Sequence, residues 1–309
     1  MCGIAGIIYR NGGAEHEVGR DMTRMLQAMK HRGPDSTGFA LYRGDADTSV
    51  MHVKLSEAAA DDPDLLRRIE RQREQVEARV RATGAEIVEI DGTPRTLTVT
   101  FRLDGDLKPL VDAVERVRHT EVLSLGHSLE IVKDLGDADT VSAEYGLSEQ
   151  LGTHAIGHAR MATESDVDIA NAHPYWAYPF PDVAVVHNGQ LTNFHDWRRR
   201  LQRSGHRFQS ECDSEIVAVY IAEQMSKGRS LEEAMRQSLS DLDGVFTYIC
   251  VTEDALGVCK DQLGAKPLVL YEDDDLVALA SEEIAIRQVL DREIETHDPY
   301  EGEVRVWTR

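Results

Sequence analysis

Nowhere do the 309 residues hold anything near the roughly 20 consecutive apolar residues of a membrane-crossing helix. The start has neither the basic n-region nor the long apolar h-region of a secretory signal, so the cytoplasm is the expected compartment. Cysteine is scarce: Cys2, Cys212, Cys250 and Cys259 form no C-x-x-C pair, which argues against a disulfide framework or a zinc knuckle. There is no G-x-G-x-x-G, no P-loop and no internal repeat, which removes the common nucleotide-binding and solenoid classes. Positive charge is also short. Against 55 Asp and Glu stand 34 Lys and Arg, and the formal charge of −21 disfavours nucleic acid and anionic membranes as partners.

What is present is a globular composition, 41% hydrophobic, with ample core for one large domain or two smaller ones. "GIAGIIYR" (3–10) reads as a strand, and 15–30 as an amphipathic helix with Val18, Met22, Met25, Leu26 and Met29 on one side. "HRGPDSTG" (31–38) is punctuated as a loop, and a strand resumes at "FALYRG". Composition then shifts: 61–83 is a long charged helix, "AEIVEI" and "RTLTVTFRL" are paired strands, and helices are expected at 107–117 and 126–135. No chemistry concentrates there, so 45–143 reads as an inserted α+β module. From Gly152 strands return, followed by helices at 194–203, 214–225 and 231–239, four short strands, a helix at 282–290 and a last strand at 304–307. Strands and helices grouped in this way suggest stacked α and β layers, not a doubly wound parallel sheet.

The opening "MCGIAGII" places a thiol one aminopeptidase step from the N-terminus. Removal of Met1 would give Cys2 a free α-amine with a pKa of roughly 7.7–8.0 beside a thiol of roughly 8.5, both titrating near working pH. An N-terminal amine that serves as base for its own side-chain nucleophile is an established activation scheme. A buried apolar cysteine at the start of a strand is the plain alternative.

Polar residues collect in "HRGPDSTG", "GHARMATES", "VVHNGQLTNF" and "SECDSEI". Each has a local explanation: Asn-Gly is the strongest short hairpin signal, and Asp213 before a helix suits an N-cap. His154 and His158 could share a metal on a helix, but their setting is strand, so no metal site is expected. Together the loops suit an amino acid substrate. Arg160 can hold a carboxylate through its bidentate fork, Asp213 an α-ammonium, and the Asn188 amide with the Gly189 N–H an oxyanion. With a cysteine nucleophile, that set fits hydrolysis of the glutamine side-chain amide.

"MCGIAGI", "HRGPDSTG", "GHARMAT", "HNGQLTN", "CDSE" and "DQLGAKPL…ASEE" resemble, in this order, class II glutamine amidotransferases. These are N-terminal-nucleophile (Ntn) hydrolases. The resemblance covers about 2–44 and 150–290 and skips the central segment. It implies an α+β fold, a four-layer αββα sandwich, with the small α+β module inserted into a domain spanning 2–309. It also implies Cys2 as nucleophile, its α-amine as base, Asn188 and Gly189 as oxyanion hole, and Arg160, Thr163 and Asp213 as glutamine-binding residues. Two departures stand out. Met161 replaces the aromatic residue that often follows the arginine, and "DQLGAKPL" lacks the arginine that often precedes its Asp.

No acceptor-binding module follows the sandwich in this sequence, so the ammonia acceptor is expected on another polypeptide. The chain is similar to the glutaminase subunit of archaeal-type glutamate synthase and to the A subunit of N-methylglutamate synthase. That likeness implies a cytoplasmic hetero-oligomer in which FMN and an iron–sulfur cluster belong to the partner synthase subunit, with no cofactor in this chain. A stand-alone Ntn amidase acting on a γ-glutamyl amide, and a non-catalytic interaction subunit, remain as alternatives.

Overall fold

The computed structural model describes residues 2–10, 16–43, 47–55, 64–93, 96–161 and 169–309. Six strands make one antiparallel sheet in the order β13 (Val269–Glu272), β14 (Leu276–Ala280), β1 (Gly3–Tyr9), β8 (His154–Arg160), β2 (Ser36–Tyr42) and β7 (Leu129–Leu135). A second sheet runs β15 (Val304–Thr308), β12 (Ala255–Lys260), β11 (Gly244–Val251), β10 (Ala184–Leu191) and β9 (Tyr175–Trp176). A separate sheet contains β4 (Glu86–Asp91), β5 (Thr96–Arg102), β3 (Ser49–Lys54) and β6 (Glu121–Gly126).

Period-two alternation sets the layers. In β1, Ile4 and Ile8 point to the second sheet and join Val186, Ile249 and Leu256 in one core. Ala5 and Ile7 point the other way, into a core shared with α1 (Val18–Ala28), α4 (Ala138–Tyr145) and α8 (Glu283–Ile286). In β11, Ile249 and Val251 face the first sheet, while Tyr248 and Cys250 face α5 (Phe194–Arg203), α6 (Asp213–Ser226) and α7 (Leu231–Asp241). The product is the expected αββα sandwich. The α1 stripe of Val18, Met22, Met25 and Leu26, with Met29 just beyond, is fully buried. Burying each such side chain contributes about 1.5–3 kcal/mol. The helix lies so close to β8 that a Cβ on Gly157 would come within 2.6 Å of Leu26 Cδ1.

The chain leaves the six-stranded sheet after β2 and returns at β7. Between them, one face of the separate sheet (Met51, Val53, Leu97, Val99) is covered by α2 (Leu65–Ala82) and α3 (Lys108–Val114). Helix α2 contributes a single stripe, Ile69, Val76 and Val80, from an otherwise charged surface.

Several local expectations need correction. Residues 126–135, expected as a helix, contain strand β7, which pairs with β2 along its whole length. A short apolar run cannot separate strand from helix by periodicity, and here the open edge of β2 decides. The separate sheet accordingly runs from Ser49 to Gly126, while β7 and α4 pack with the main sandwich. Ser36, Thr37 and Gly38 belong to β2 and not to a loop. The last helix is one turn, Glu283–Ile286, shorter than the expected 282–290.

Candidate active site

Antiparallel pairing of β1 with β8 sets Gly3 opposite Ala159, so the residue before β1 and the last residue of β8 come side by side. Those residues are Cys2 and Arg160. Strand β10 brings Asn188 and Gly189 to the same place, and the first turn of α6 brings Asp213. All five line one cavity of about 330 Å³. Thr163 lies outside the described residues, as does Met1.

Cys2 is held mainly through its backbone and its sulfur. Its carbonyl accepts from Arg32 Nε and from Asn188 Nδ2, each at 3.1 Å. Its Sγ accepts the Met161 backbone N–H at 3.4 Å. That contact belongs to the main chain, so the loss of an aromatic residue at this position leaves it intact. Arg32 is fixed in turn by Glu282, with Nη1 donating to Oε1 at 2.6 Å. Ser281 Oγ accepts from the Ile4 N–H at 3.0 Å and from Asn188 Nδ2 at 3.4 Å. Arg32, Ser281 and Glu282 were not singled out by residue chemistry, although "HRGPDS" and "ASEE" carry them. Their positioning role exists only once both ends of the chain meet at Cys2.

The Asn-Gly pair is not a turn. Asn188 and Gly189 sit inside β10, opposite Thr247 and Phe246 of β11. Gly189 has φ +144°, and a Cβ there would lie 2.1 Å from the Val245 carbonyl oxygen, so only glycine fits. Asp213 is not the N-cap of α6 either. Cys212 occupies that position, and Asp213 is the first helical residue. Its Oδ2 accepts the Leu191 N–H at 2.8 Å and its Oδ1 the Ser214 hydroxyl at 3.2 Å.

The remaining cysteines sit in environments that suppress the thiolate. Burial pushes Cys259 up to about 12 and Cys250 further, and burial with the Asp213 charge raises Cys212. Only Cys2 and Cys212 are partly exposed. The pair His154 and His158 forms no joint ligand set: His154 Nε2 lies 2.8 Å from the Thr252 carbonyl and its ring stacks on Tyr42.

One feature escaped sequence reasoning altogether. His158, His173 and His187 gather in the wall of the cavity, His158 and His173 stacked at 4.1 Å, with the His187 backbone N–H donating to His173 Nδ1 at 3.1 Å. Burial first, then Arg160 and His187, lowers His158 to about 3, and burial lowers the other two as well. Each imidazole binds its proton in the unfolded chain below about 6.5 but not in the folded one, so stability falls as pH drops. The unfolding free energy should therefore decline between about pH 6.5 and pH 3, by up to about 1.4 kcal/mol per pH unit for each histidine, and the urea midpoint should fall with it. His158→Gln should flatten that slope; a midpoint independent of pH from 7 to 5 would contradict it.

The chain is 42% identical over 99% of its length to a Methanothermobacter thermautotrophicus protein named "Putative glutamine amidotransferase", covering 99% of that protein. It is 35% identical to the glutamine amidotransferase-like protein GlxB of Rhizobium meliloti, over 95% of this chain and 93% of that one. The chain belongs to the glutamine amidotransferases. A glutamine amidotransferase domain model matches residues 158–288. Among solved structures, the "allosteric regulatory enzyme of purine biosynthesis" aligns over 99% of this chain with a TM-score of 0.63 at 20% identity. The glutamine phosphoribosylpyrophosphate amidotransferase of B. subtilis aligns with a TM-score of 0.61, also at 20% identity. This chain spans about half (47%) of either enzyme's length. These likenesses show that the chain shares the fold of those enzymes, and the family makes the chain a glutamine amidotransferase. Among the described residues, no helix is long and apolar enough to cross a membrane.

Proposed function

We propose that this glutamine amidotransferase hydrolyses the side-chain amide of glutamine at Cys2 and passes the ammonia to a separate synthase subunit. The observation that carries the chemistry is the convergence of Cys2, Arg160, Asn188, Gly189 and Asp213 on one cavity. In this reading Met1 is removed and the Cys2 α-amine takes the thiol proton. The thiolate attacks the amide carbon, and the oxyanion is met by the Gly189 N–H and by Asn188 Nδ2, which gives up its 3.4 Å contact with Ser281. The α-ammonium returns the proton to the leaving nitrogen, ammonia departs, and water cleaves the thioester to glutamate. Arg160 holds the α-carboxylate of glutamine and Asp213 its α-ammonium, and the sequence resemblance adds Thr163 as a further binding residue.

Asp213→Ala should mainly weaken glutamine binding. A charged hydrogen bond is worth about 1.5–3 kcal/mol, so kcat/KM should fall roughly tenfold to over a hundredfold. The loss of the Leu191 anchor should lower the melting temperature in the same variant. Unchanged kcat/KM beside a lowered melting temperature would make Asp213 a structural residue only.

The acceptor side rests on the sequence resemblance: a synthase subunit of the N-methylglutamate synthase or glutamate synthase type, carrying FMN and an iron–sulfur cluster. A smaller cavity of about 160 Å³ supports a handover, because it shares Cys2, Asn188 and Gly189 with the first and adds Arg32, Lys266 and Pro267. The segment Ser49–Gly126, with its own sheet and two helices, is the inserted module we propose as the docking surface. Purification of the endogenous protein tests this directly. A flavin-containing partner should copurify and raise the glutaminase rate; a fully active chain with no partner would support the stand-alone amidase instead.

A further inference from the structure

A second cavity, of about 280 Å³, lies where the separate sheet meets β7, and it shares no lining residue with the Cys2 cavity. Its size is close to the lower end of small-molecule sites, about 300–1,000 Å³. One wall is the face of the separate sheet turned away from α2 and α3. There β3, β4 and β5 align His52, Thr98 and Asp91 in one cross-strand row. The opposite wall includes Glu130 of β7, with Arg43 and Gln150; Glu144 and Lys133 also line the cavity, the Lys133 Nζ donating to the Ala172 carbonyl at 3.2 Å.

This wall-to-wall polarity is unusual for a packing defect, because two of the groups, Glu130 and His52, are buried, and the pairing around them is incomplete. Glu130 is 6% exposed and accepts from Arg43 and from Gln150 Nε2, the latter at 3.2 Å. That fixes the Gln150 amide with its NH₂ on the carboxylate, which leaves Oε1 buried with no hydrogen-bond partner among the described residues. His52 is 4% exposed; its Nδ1 lies 3.3 Å from Thr98 Oγ1, and its Nε2, 3.5 Å from Glu130, also lacks a hydrogen-bond partner. Buried polar atoms are ordinarily satisfied, so two open ones on a single cavity point to something that fills it.

The chemistry of the walls selects the occupant. Asp91, Glu130 and the open Gln150 oxygen favour a cation with several N–H donors. Arg43, with five donors and only part of them used on Glu130, favours a carboxylate at the same cavity. Thr98 and His52 add neutral hydrogen-bonding groups. We propose that this junction cavity is a binding site for a small polar amino acid, its ammonium toward Asp91 and Glu130 and its carboxylate toward Arg43. The site stands apart from the Cys2 reading and does not depend on it.

Isothermal titration of the full chain with L-serine, L-threonine and L-glutamate tests this. At least one should bind with Kd below about 1 mM, and Asp91→Asn and Thr98→Val should each weaken that binding at least about tenfold. Asp91→Asn should melt where the parent does, since Asp91 is exposed, while Thr98→Val also removes the neighbour of the buried His52 ring and should melt somewhat lower. For L-serine, ethanolamine and 3-hydroxypropionate should each bind at least about tenfold more weakly, because each keeps one charge only. No heat from any of the three up to about 10 mM, or affinity unchanged in both variants, would overturn the site. Equal binding of ethanolamine would overturn the amino acid assignment in favour of a simple amine.

Discussion

Replacing Cys2 by alanine is expected to reduce glutamine hydrolysis to background, a loss on the order of 10⁶ in kcat for a nucleophile that acts as a unit with its base. The fold should survive. Cys2 precedes β1, and its hydrogen bonds to Arg32 and Asn188 run through its carbonyl, which alanine retains. A diazo-oxo-norleucine should label the parent at Cys2 and leave the alanine variant unmodified, because burial raises the other three thiols. Mass mapping after labelling checks both statements at once. Modification at Cys212 with Cys2 untouched, or residual turnover in the variant near the parent rate, would remove Cys2 from the chemistry.

Asn188→Ala should lower kcat by about 10²–10³, the usual cost of one oxyanion donor, with a much smaller change in KM. The structure adds a second consequence. The same amide bridges the Cys2 carbonyl and Ser281, so its removal loosens the nucleophile as well as the oxyanion site. Ser281→Ala separates the two roles: it removes the 3.4 Å partner and the acceptor of the Ile4 N–H while sparing the amide, and should lower kcat by much less than Asn188→Ala does. Steady-state kinetics of both variants decide the matter. A rise in KM alone for Asn188→Ala would place the amide in ground-state binding.

Much of this was legible in the residues themselves. Alternating apolar runs located β1, β10, β11, β12 and β14, and the Met-rich stripe of α1 announced a buried helix face, because burial on one side writes a period into the chain. The site residues Cys2, Arg160, Asn188, Gly189 and Asp213 were named from their chemical types, since few side chains can supply a nucleophile, a carboxylate fork and an oxyanion donor. Tertiary structure decided the rest. Whether 129–135 became helix or strand depended on the open edge of β2, which no local window contains. Asn-Gly stayed extended because β11 pairs across it and the Val245 carbonyl presses on Gly189, overriding the turn preference of the dipeptide. Arg32, Ser281 and Glu282 acquired their hold on Cys2, and the three histidines their common burial, only through contacts between distant segments. Residue type and spacing specify what a side chain can do. The packing of two sheets determines what it meets, because that depends on segments more than a hundred residues apart in the chain.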